Sequence, residues 1–332
     1  MWGGSQAEVG PAFTSFVTNA SILTVLIGHG PLSSTYGFGV DNVLQIKIVT
    51  PQGVVLTANP CLHPDLFWAL RGGGAGTFGV ITSVAMKAYP SPQASRHTFT
   101  LAPTNADNLT GFWDLVASVM SEFPRINAGG MQGYSTIVPP GIDGAKTWKW
   151  SWGFNVYDKP NGTIESLFAP IAQKLAPENG TTIMYTSRVT HYPNFFALWN
   201  ATVAFEPVAA VGAALGSRLL PAASLTEDKN QLARVLQNLT TRAEASPVSP
   251  RLEAYPIANH NLAMIDQTSI TPAWRDATLH FIVIEYFRDS DTFAEAKPVF
   301  DRMTNERVSV LKSLAPDSGA YLNEVNSVLP CF

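Results

Sequence analysis

Apolar residues in the first ninety positions form short runs that glycines and prolines separate. Val43–Val49 is apolar on both faces and predicts a buried strand, and a Pro-Gln-Gly turn leads into a second strand at Val54–Ala58. A short helix is expected at Leu66–Leu70, opened by His63-Pro64-Asp65, and a third strand at Val80–Tyr89. This region therefore reads as a small sheet with glycine loops.

From about Arg96 the pattern alternates between strands and helices. Strands are expected at 97–101, 133–138, 147–157, 181–190 and 279–287. Helices are expected at 105–123, 163–175, 225–243 and 290–314, with Ser290 and Asp291 as the cap of the last one. Because no tight βαβ repeat is present, this mixture predicts an α+β fold with helices on one face of an antiparallel sheet.

The composition is that of a folded protein with little charge. Of the 332 residues 46% are hydrophobic, which supports a large core and two lobes. Only 14% are charged, and the net charge is −4 without any basic block, so neither nucleic acid nor an anionic membrane is expected as a partner. The best apolar run, Ser21–Gly28, is far shorter than the roughly 18 residues that cross a bilayer.

Cysteines and sequons bear on cellular location. Cys61 and Cys331 allow at most one disulfide and no zinc site, so no metal is expected. The Asn-x-Ser/Thr sequons exceed the roughly three expected by chance. Together with the low charge they predict a secreted or vesicle-routed glycoprotein, although the first residues show no signal-peptide pattern. The sequons begin at Asn19, Asn108, Asn161, Asn179, Asn200 and Asn238.

The segment Gly74–Gly79 fits the pattern G-x-G-x-x-G but not the context of a dinucleotide fingerprint. Such a fingerprint follows a strand and opens a helix, whereas here a helix is expected before the glycines and a strand after them. A Rossmann site is therefore rejected, and a flexible connection between helix and strand is the simplest interpretation.

A second glycine-rich segment, Gly28–Leu44, precedes the first by about 40 residues, with strands between the two. Glycines let backbone N–H groups approach a phosphate or a flat ring where side chains would interfere. Two such loops around a small sheet favour a clamp for a large cofactor.

Three segments of the sequence resemble segments of a known protein family. GHGPLSSTYGFGVDNVL, VTPQGVVLTA and HPDLFWALRGGGAGTFGVITSV, in this order and spacing, resemble the second half of the FAD-binding domain of berberine-bridge-enzyme-like oxidases. These oxidases are part of the vanillyl-alcohol-oxidase superfamily, and its fungal secondary-metabolism branch is the most similar. Thr271–Asp276 and Tyr321–Glu324 are similar to the family's substrate-domain and closing motifs.

The resemblance implies a domain order and a cofactor. A partial PCMH-type FAD-binding domain at 1–92 is followed by an antiparallel-sheet substrate domain at 93–318 and a return segment at 319–332. Matches to flavin-contacting positions of the family are Gly28, His29, Gly30, Ser33, Tyr36 and Gly37. Matches to the adenosine side are Gly76, Gly79, Val80 and Ile81. Tyr321 and Asn323 match the Tyr-x-Asn segment that closes over the flavin.

The chain also departs from the family. The first half of the FAD-binding domain, with its Arg-Ser-Gly-Gly-His-type loop and covalent histidine, is expected before this chain, and the chain stops soon after Asn323. A second covalent link would need a cysteine shortly before His29, but 1–27 contains none. We therefore expect a fragment, a misread gene model or a degenerate member.

Oxidation of an alcohol or amine by a flavin needs a C–H bond held over the flavin N5 and a base for the heteroatom proton. One face of the last predicted strand carries His280, Ile282, Ile284 and Tyr286. Tyr286 is one candidate base, and Asp266 is another because related plant enzymes carry a glutamate near that place. An ordinary strand tyrosine and a solvated acid are the simpler interpretations, and His29 is expected to pack its loop.

The predicted function is that of an FAD-linked oxidoreductase. Its substrate would be a small-molecule alcohol, amine or secondary-metabolite intermediate, with hydride transfer to flavin N5, molecular oxygen as acceptor, and a monomeric state. An inactive, truncated member that binds without catalysis is the first alternative. The second alternative is a secreted glycoprotein whose loops only form a surface for binding partners. The segments DLFWALRGGG and TFGV argue against it.

Overall fold

The computed structural model describes residues 28–74, 76–106, 109–202, 212–243, 246–257 and 262–325. The first of its two sheets is small and lies between two glycine loops. Its elements are α1 (Ser33–Tyr36), a 3₁₀ turn (Gly39–Asn42), β1 (Val43–Val49), β2 (Val55–Ala58), α2 (Pro64–Leu70) and β3 (Val80–Met86). The strands are antiparallel in the order β2-β1-β3, so the longest apolar strand lies in the centre.

The small sheet has one covered face. Ile46 and Ile48 of β1 are fully buried against Phe67 and Leu70 of α2. The alternate side chains point outward, as the two-residue period of a strand requires. On the edge strands Val55 is 66% exposed and Val80 is 68% exposed.

The second sheet contains the remaining seven strands, all antiparallel to their neighbours. They are β4 (Ala94–Pro103), β5 (Gln132–Val138), β6 (Lys149–Tyr157), β7 (Ile183–Tyr192), β8 (Ala213–Pro221), β9 (Arg251–Tyr255) and β10 (Ala277–Tyr286). Their order is β7-β4-β6-β5-β9-β10-β8. The α+β architecture expected from the sequence is confirmed.

Helices flank the seven-stranded sheet, and most of them cover one of its faces. They are α3 (Thr110–Met120), α4 (Phe123–Ala128), α5 (Thr163–Leu175), α6 (Phe195–Thr202), α7 (Ala222–Thr226), α8 (Lys229–Leu239), α9 (Ala273–Asp276), α10 (Phe293–Arg302) and α11 (Val308–Lys312), with a π-helical turn at Met303–Arg307. Helices α3, α5, α8 and α11 form the main core with this face, in which Trp113, Trp150 and Leu236 are buried. No helix among the described residues has the length and apolar character to cross a bilayer.

The opposite face of the large sheet packs against the first glycine loop and against α9. Phe38 and Val40 from the loop meet Trp274 of α9 and Ile282 of β10. Arg275 of α9 is joined to Asp41 by two hydrogen bonds, of 2.8 and 2.6 Å. A buried ion pair therefore links the first glycine-rich segment to the motif Thr271–Asp276, both of which resemble the family.

Several predicted boundaries were wrong. The helix expected at 105–123 is two helices, and the one expected at 225–243 begins anew at Lys229, because Asp228 caps the backbone N–H of Gln231. The cap of α10 is Thr292, whose hydroxyl accepts from Glu295 N in a capping box. The sequence did not predict β8, β9 or α6. The division into domains at 92 and 318 stays a prediction.

Candidate active site

The first glycine loop is held in a tight turn that directs one histidine toward the large sheet. Gly28 has φ +59°, which favours glycine, and its carbonyl accepts a hydrogen bond from Gly39 N at 2.8 Å. Gly30 N donates to Ser33 Oγ at 2.7 Å. The loop is therefore closed on both sides of His29, whose side chain is 7% exposed.

His29 lies in a group of six rings, which we call the aromatic cluster. Its members are His29, Tyr134, Tyr255, Trp274, His280 and Tyr321. The His29 ring stacks on Trp274 with centroids 5.8 Å apart and meets Tyr321 edge-on at 5.2 Å. Four parts of the fold contribute: the glycine loop, strands of the large sheet, α9 and the C-terminal segment.

Glu324 completes this group with a carboxylate. Its Oε2 lies 3.3 Å from His280 Nε2 and 4.0 Å from His29 Nε2. We call the two imidazoles and the carboxyl the acid–imidazole trio; both imidazoles are buried, and Glu324 is 17% exposed. Several of their atoms have no hydrogen-bond partner in the described structure: His29 Nδ1, both His280 nitrogens and Glu324 Oε2.

Burial sets the protonation of the trio. It lowers the pKa of His29 to about 4. Burial, and then the neighbouring His29, lower the pKa of His280 well below its ordinary value. Burial, followed by the charge of Glu253, raises the pKa of Glu324 to about 8. At neutral pH the imidazoles are therefore uncharged and the carboxyl holds its proton.

A line of polar groups continues from the cluster along the sheet. Tyr255 OH donates to Glu253, and Arg251 Nη2 lies 2.9 Å from the other oxygen of Glu253. Burial raises the pKa of Glu253, although Arg251 opposes the shift. Tyr286 lies at the end of this line. Burial raises its pKa, although the charge of Arg251 and its hydrogen bond to Tyr286 oppose the shift.

The two predicted bases occupy different surroundings. Tyr286 is partly buried on β10, with Ile282 and Ile284 facing the same side and Glu285 the other, as the alternation predicted. Asp266 is exposed in a turn after a short 3₁₀ segment. Both assignments stay predictions, and among the described contacts neither residue touches the acid–imidazole trio.

The predicted flavin-contacting residues separate into two places. Gly28, His29, Gly30 and Ser33 lie in or beside the aromatic cluster. Tyr321 is a member of it, and Asn323 donates to Tyr321 OH at 2.6 Å. Tyr36 instead packs on Tyr89 with centroids 4.5 Å apart, and Gly37, at φ +90°, turns the chain after α1.

The second glycine loop belongs to the small sheet. Gly79 has φ +142°, and a Cβ there would lie 2.2 Å from the Val49 carbonyl oxygen. The requirement for glycine therefore comes from the closeness of β1, and the match of Gly79 to the adenosine side stays a prediction. Gly76, at φ +73°, has open space around a Cβ. Val80 is exposed, and Ile81 packs partly into the small core.

Sequence reasoning missed the residues that complete the site. Glu324 and Trp274 stand inside motifs already singled out, and Glu324 is the one acid in its motif, which was a usable signal. Glu253 and Arg251 lie on the unpredicted β9. Two imidazoles and a carboxylate with ligand atoms within 4.8 Å of one another are also a donor set that a divalent cation can use.

Known proteins resemble the chain along nearly its whole length. No protein-family model matches it. It is 29% identical over 313 residues to the FAD-linked oxidoreductase apf9 of Gibberella fujikuroi. The matched region covers 90% of this chain and 52% of that protein. Further curated relatives are also named FAD-linked oxidoreductases of fungi. The chain spans about half the length of the curated relatives it matches.

Solved structures share the fold. The VAO-type flavoprotein MtVAO713 from Myceliophthora thermophila superposes with a TM-score of 0.86 at 24% identity, covering 96% of this chain and 58% of that one. The BBE-like 1 protein of Physcomitrella patens, in its D396N variant, gives 0.69 at 16% identity, covering 93% and 62%. Both structural matches agree with the family that the three sequence segments resemble.

Proposed function

We propose that this chain, a relative of fungal FAD-linked oxidoreductases with the fold of vanillyl-alcohol-oxidase-type flavoproteins, forms the catalytic face of an FAD-dependent oxidoreductase. The observation that carries the proposal is the acid–imidazole trio within the aromatic cluster. Buried polar atoms without partners are rare in folded proteins, and a catalytic role or a bound ion is among the explanations for them.

The residues present fit the cofactor of these relatives. A flavin has a flat ring system with a polar edge. The aromatic cluster offers flat side chains, and His29 and His280 offer buried nitrogens without partners. Gly76 lies in the left-handed region with open space beside it, so its backbone is accessible to a phosphate or an adenosine. We assign the trio to the flavin side and Gly76 with Val80 to the adenosine side.

FAD, when bound, supplies an acceptor for the hydride of a substrate C–H bond. The chain's own contribution is proton handling. Ionised Glu324 takes the proton from a substrate hydroxyl or amine, and the neutral imidazole of His280, 3.3 Å away, is placed to share it. Because the pKa of Glu324 is about 8, the carboxyl is mostly protonated at neutral pH, and the fraction that can act as a base rises as the pH approaches that value.

The substrate class in this proposal is a small alcohol, amine or secondary-metabolite intermediate, with molecular oxygen as the electron acceptor and a monomeric enzyme. Secretion is part of the same proposal. Its support is that the described sequons are exposed and accessible for glycosylation. They are Asn161, Asn179, Asn200 and Asn238. Asn19 and Asn108 lie outside the described residues.

We expect FAD to bind this chain reversibly through both of its ends. Titration with FAD, lumiflavin and ADP, followed by flavin fluorescence and by thermal melting, separates the flavin side from the adenosine side. A ligand at 100 times its dissociation constant adds about 2.7 kcal/mol of stability. If the fluorescence of lumiflavin is not quenched saturably by the chain, the aromatic cluster is not part of the flavin site.

The variant His29→Leu tests in the same titration whether His29 contributes to lumiflavin binding. Replacing a buried imidazole that lacks a partner for Nδ1 should leave the melting temperature of the free chain equal or higher, because one unsatisfied buried nitrogen is removed. Lumiflavin binding should nevertheless weaken about tenfold, corresponding to one lost hydrogen bond. Arg288→Gln, at an exposed arginine away from the site, is the control and should change neither quantity.

Substitution of Gly79 should mainly lower stability, whereas substitution of Gly76 should mainly weaken cofactor binding. Gly79→Ala places a Cβ against the Val49 carbonyl and is expected to lower the melting temperature of the apo chain. Gly76→Asn meets open space at a backbone angle that asparagine tolerates, so stability should change by less than about 1 kcal/mol while FAD and ADP bind more weakly. Unchanged FAD affinity in folded Gly76→Asn would exclude this loop from the cofactor site.

A further inference from the structure

The acid–imidazole trio has the ligand types of a zinc site. Two imidazoles and one carboxylate are a donor set that Zn²⁺ uses at sites with three protein ligands, where the fourth position is left to a water or another small molecule. The ligand atoms of His29, His280 and Glu324 lie within 4.8 Å of one another. The cysteine count gave no reason to expect this site, because none of its three members is a cysteine.

The spacing of the ligand atoms fits one ion between them. Two ligands bound at about 2.0–2.2 Å to a tetrahedral Zn²⁺ are roughly 3.3–3.6 Å apart. His280 Nε2 and Glu324 Oε2 are 3.3 Å apart, and His29 Nε2 is 4.0 Å from the same oxygen. The first distance already suits two ligands of one ion, and the second needs a shift of less than about 1 Å.

Hydrogen bonds among the described residues do not account for the burial of these polar atoms. His29 and His280 are 7% and 1% exposed. Neither nitrogen of His280 has a hydrogen-bond partner, and neither does Oε2 of Glu324. A charge-assisted N–H···O bond is about 2.7–2.9 Å long, shorter than the 3.3 Å between His280 Nε2 and this oxygen. A cation bound to both atoms would offset the cost of burying them without partners.

Separate parts of the fold hold the three ligands and leave a route for an ion. His280 is fixed on β10, which pairs with β8 and β9, and the hydrogen bond from Gly30 N to Ser33 Oγ closes the loop beside His29. Glu324 ends a short 3₁₀ turn and is 17% exposed. The carboxylate is therefore the ligand that meets solvent, and an ion enters the site from its side.

The surrounding rings favour Zn²⁺ over Mg²⁺. The other members of the aromatic cluster are Tyr134, Tyr255, Trp274 and Tyr321, and such a lining limits the access of water to an ion. Mg²⁺ prefers oxygen ligands and keeps several waters, whereas imidazole nitrogens suit Zn²⁺. The site therefore selects ions by its ligand atoms and by its lining.

We infer that the acid–imidazole trio is a Zn²⁺ site whose ligands are His29, His280 and Glu324. The ion displaces the proton that Glu324 holds at neutral pH, as metal ligands generally release theirs. Binding needs no flavin, so the site itself does not depend on the proposed function. One consequence does rest on that function: zinc occupies the carboxylate and the imidazole that would take the substrate proton, so the zinc-loaded chain is the inhibited form of the enzyme.

Isothermal titration of the 332-residue chain, after removal of metals with EDTA and gel filtration, tests the inference without flavin. We expect one Zn²⁺ to bind per chain and Mg²⁺ to show no saturable binding. Zinc should also raise the melting temperature, because it binds the folded chain and joins three segments that are distant in sequence. Co²⁺ in place of Zn²⁺ should give the strong visible absorption of a four- or five-coordinate ion.

Two variants test the ligands in chains that are expected to fold. Glu324→Gln and His29→Leu each remove one ligand without leaving a new buried charge. Each should weaken zinc binding at least about hundredfold, because even the loss of a group that only orients a ligand costs about 10–100-fold. The matched control is Cys61→Ser/His63→Gln, which removes an exposed thiol and an exposed imidazole and should bind zinc like the wild type.

The same titrations contain the results that would overturn the inference. One is zinc affinity that falls in the Cys61→Ser/His63→Gln control but is unchanged in Glu324→Gln and His29→Leu. Equal binding of Zn²⁺ and Mg²⁺ is another. A chain that binds lumiflavin but not zinc would overturn the metal site and leave the proposed function in place. A chain that binds zinc through the trio but not lumiflavin would support the metal site and refute the proposed function.

Discussion

Arg275→Gln is expected to lower the free energy of unfolding by about 3–5 kcal/mol, because it leaves the Asp41 carboxylate buried without its partner. The pair is 1% and 5% exposed, and Arg275 donates to both oxygens of Asp41. Asp41 also accepts from Phe38 N at 2.9 Å, so the loss reaches the first glycine loop directly. Urea unfolding followed by tryptophan fluorescence measures the change.

A double-mutant cycle identifies the cause of that loss. Asp41→Asn keeps an oxygen for Phe38 N while removing the charge, and the double variant Asp41→Asn/Arg275→Gln should lose less stability than the sum of the two single variants. Arg288→Gln is the control for a lost surface arginine and should stay within about 0.5 kcal/mol of the wild type. Additive losses in the cycle would show that the ion pair does not stabilise the contact between loop and α9.

Glu324→Gln should be more stable than the wild type at pH 8 and nearly equal to it at pH 5. The pKa of Glu324 is about 8 in the folded chain, above the ordinary value of 4.5. The folded state therefore holds this proton more tightly than the unfolded state does. Its contribution to stability is complete below pH 4.5 and is lost as the pH rises to about 8. Over three pH units the difference amounts to roughly 4 kcal/mol.

Glu165→Gln, at an exposed glutamate of α5, is the control and should follow the pH profile of the wild type. EDTA in all solutions keeps a bound cation from holding Glu324 ionised. His29 acts with the opposite sign: its pKa of about 4 lies below the ordinary 6.5, so its contribution is present above pH 6.5 and is lost as the pH falls toward 4. A stability difference between Glu324→Gln and wild type that does not change with pH would contradict the buried, protonated carboxyl.

The sequence predicted those parts of the fold whose residues follow a local pattern. Val43–Val49 and Thr163–Leu175 match their predicted bounds, because each has a clear apolar period. Strand β8 was missed because Gly216, Ser217 and Arg218 interrupt its apolar run. Arg218 is nonetheless buried, since the distant carbonyls of Ala315 and Pro316 accept its hydrogen bonds. No local pattern reveals such a partner.

The same distinction applies to the site. The family resemblance pointed to His29 and Tyr321, which the structure places in one cluster with ring centroids 5.2 Å apart. It did not point to Glu253, because β9 has charged residues at alternate positions and its burial depends on contacts with Arg251 and Tyr255. The capping box of Thr292 and Glu295 was readable as two residues three positions apart, but the cap was assigned to Ser290 and Asp291, two positions and one position too early.

The small sheet bears on how the chain behaves at high concentration. Its two outer strands, β2 and β3, each have one pairing partner among the described residues, and their outward valines at 55 and 80 are largely exposed. Unpaired backbone groups beside apolar side chains are a template for strand addition by another molecule. Storage at high protein concentration should therefore favour slow aggregation through these edges. A lysine in place of Val55 is the change that would extend the useful lifetime of a sample.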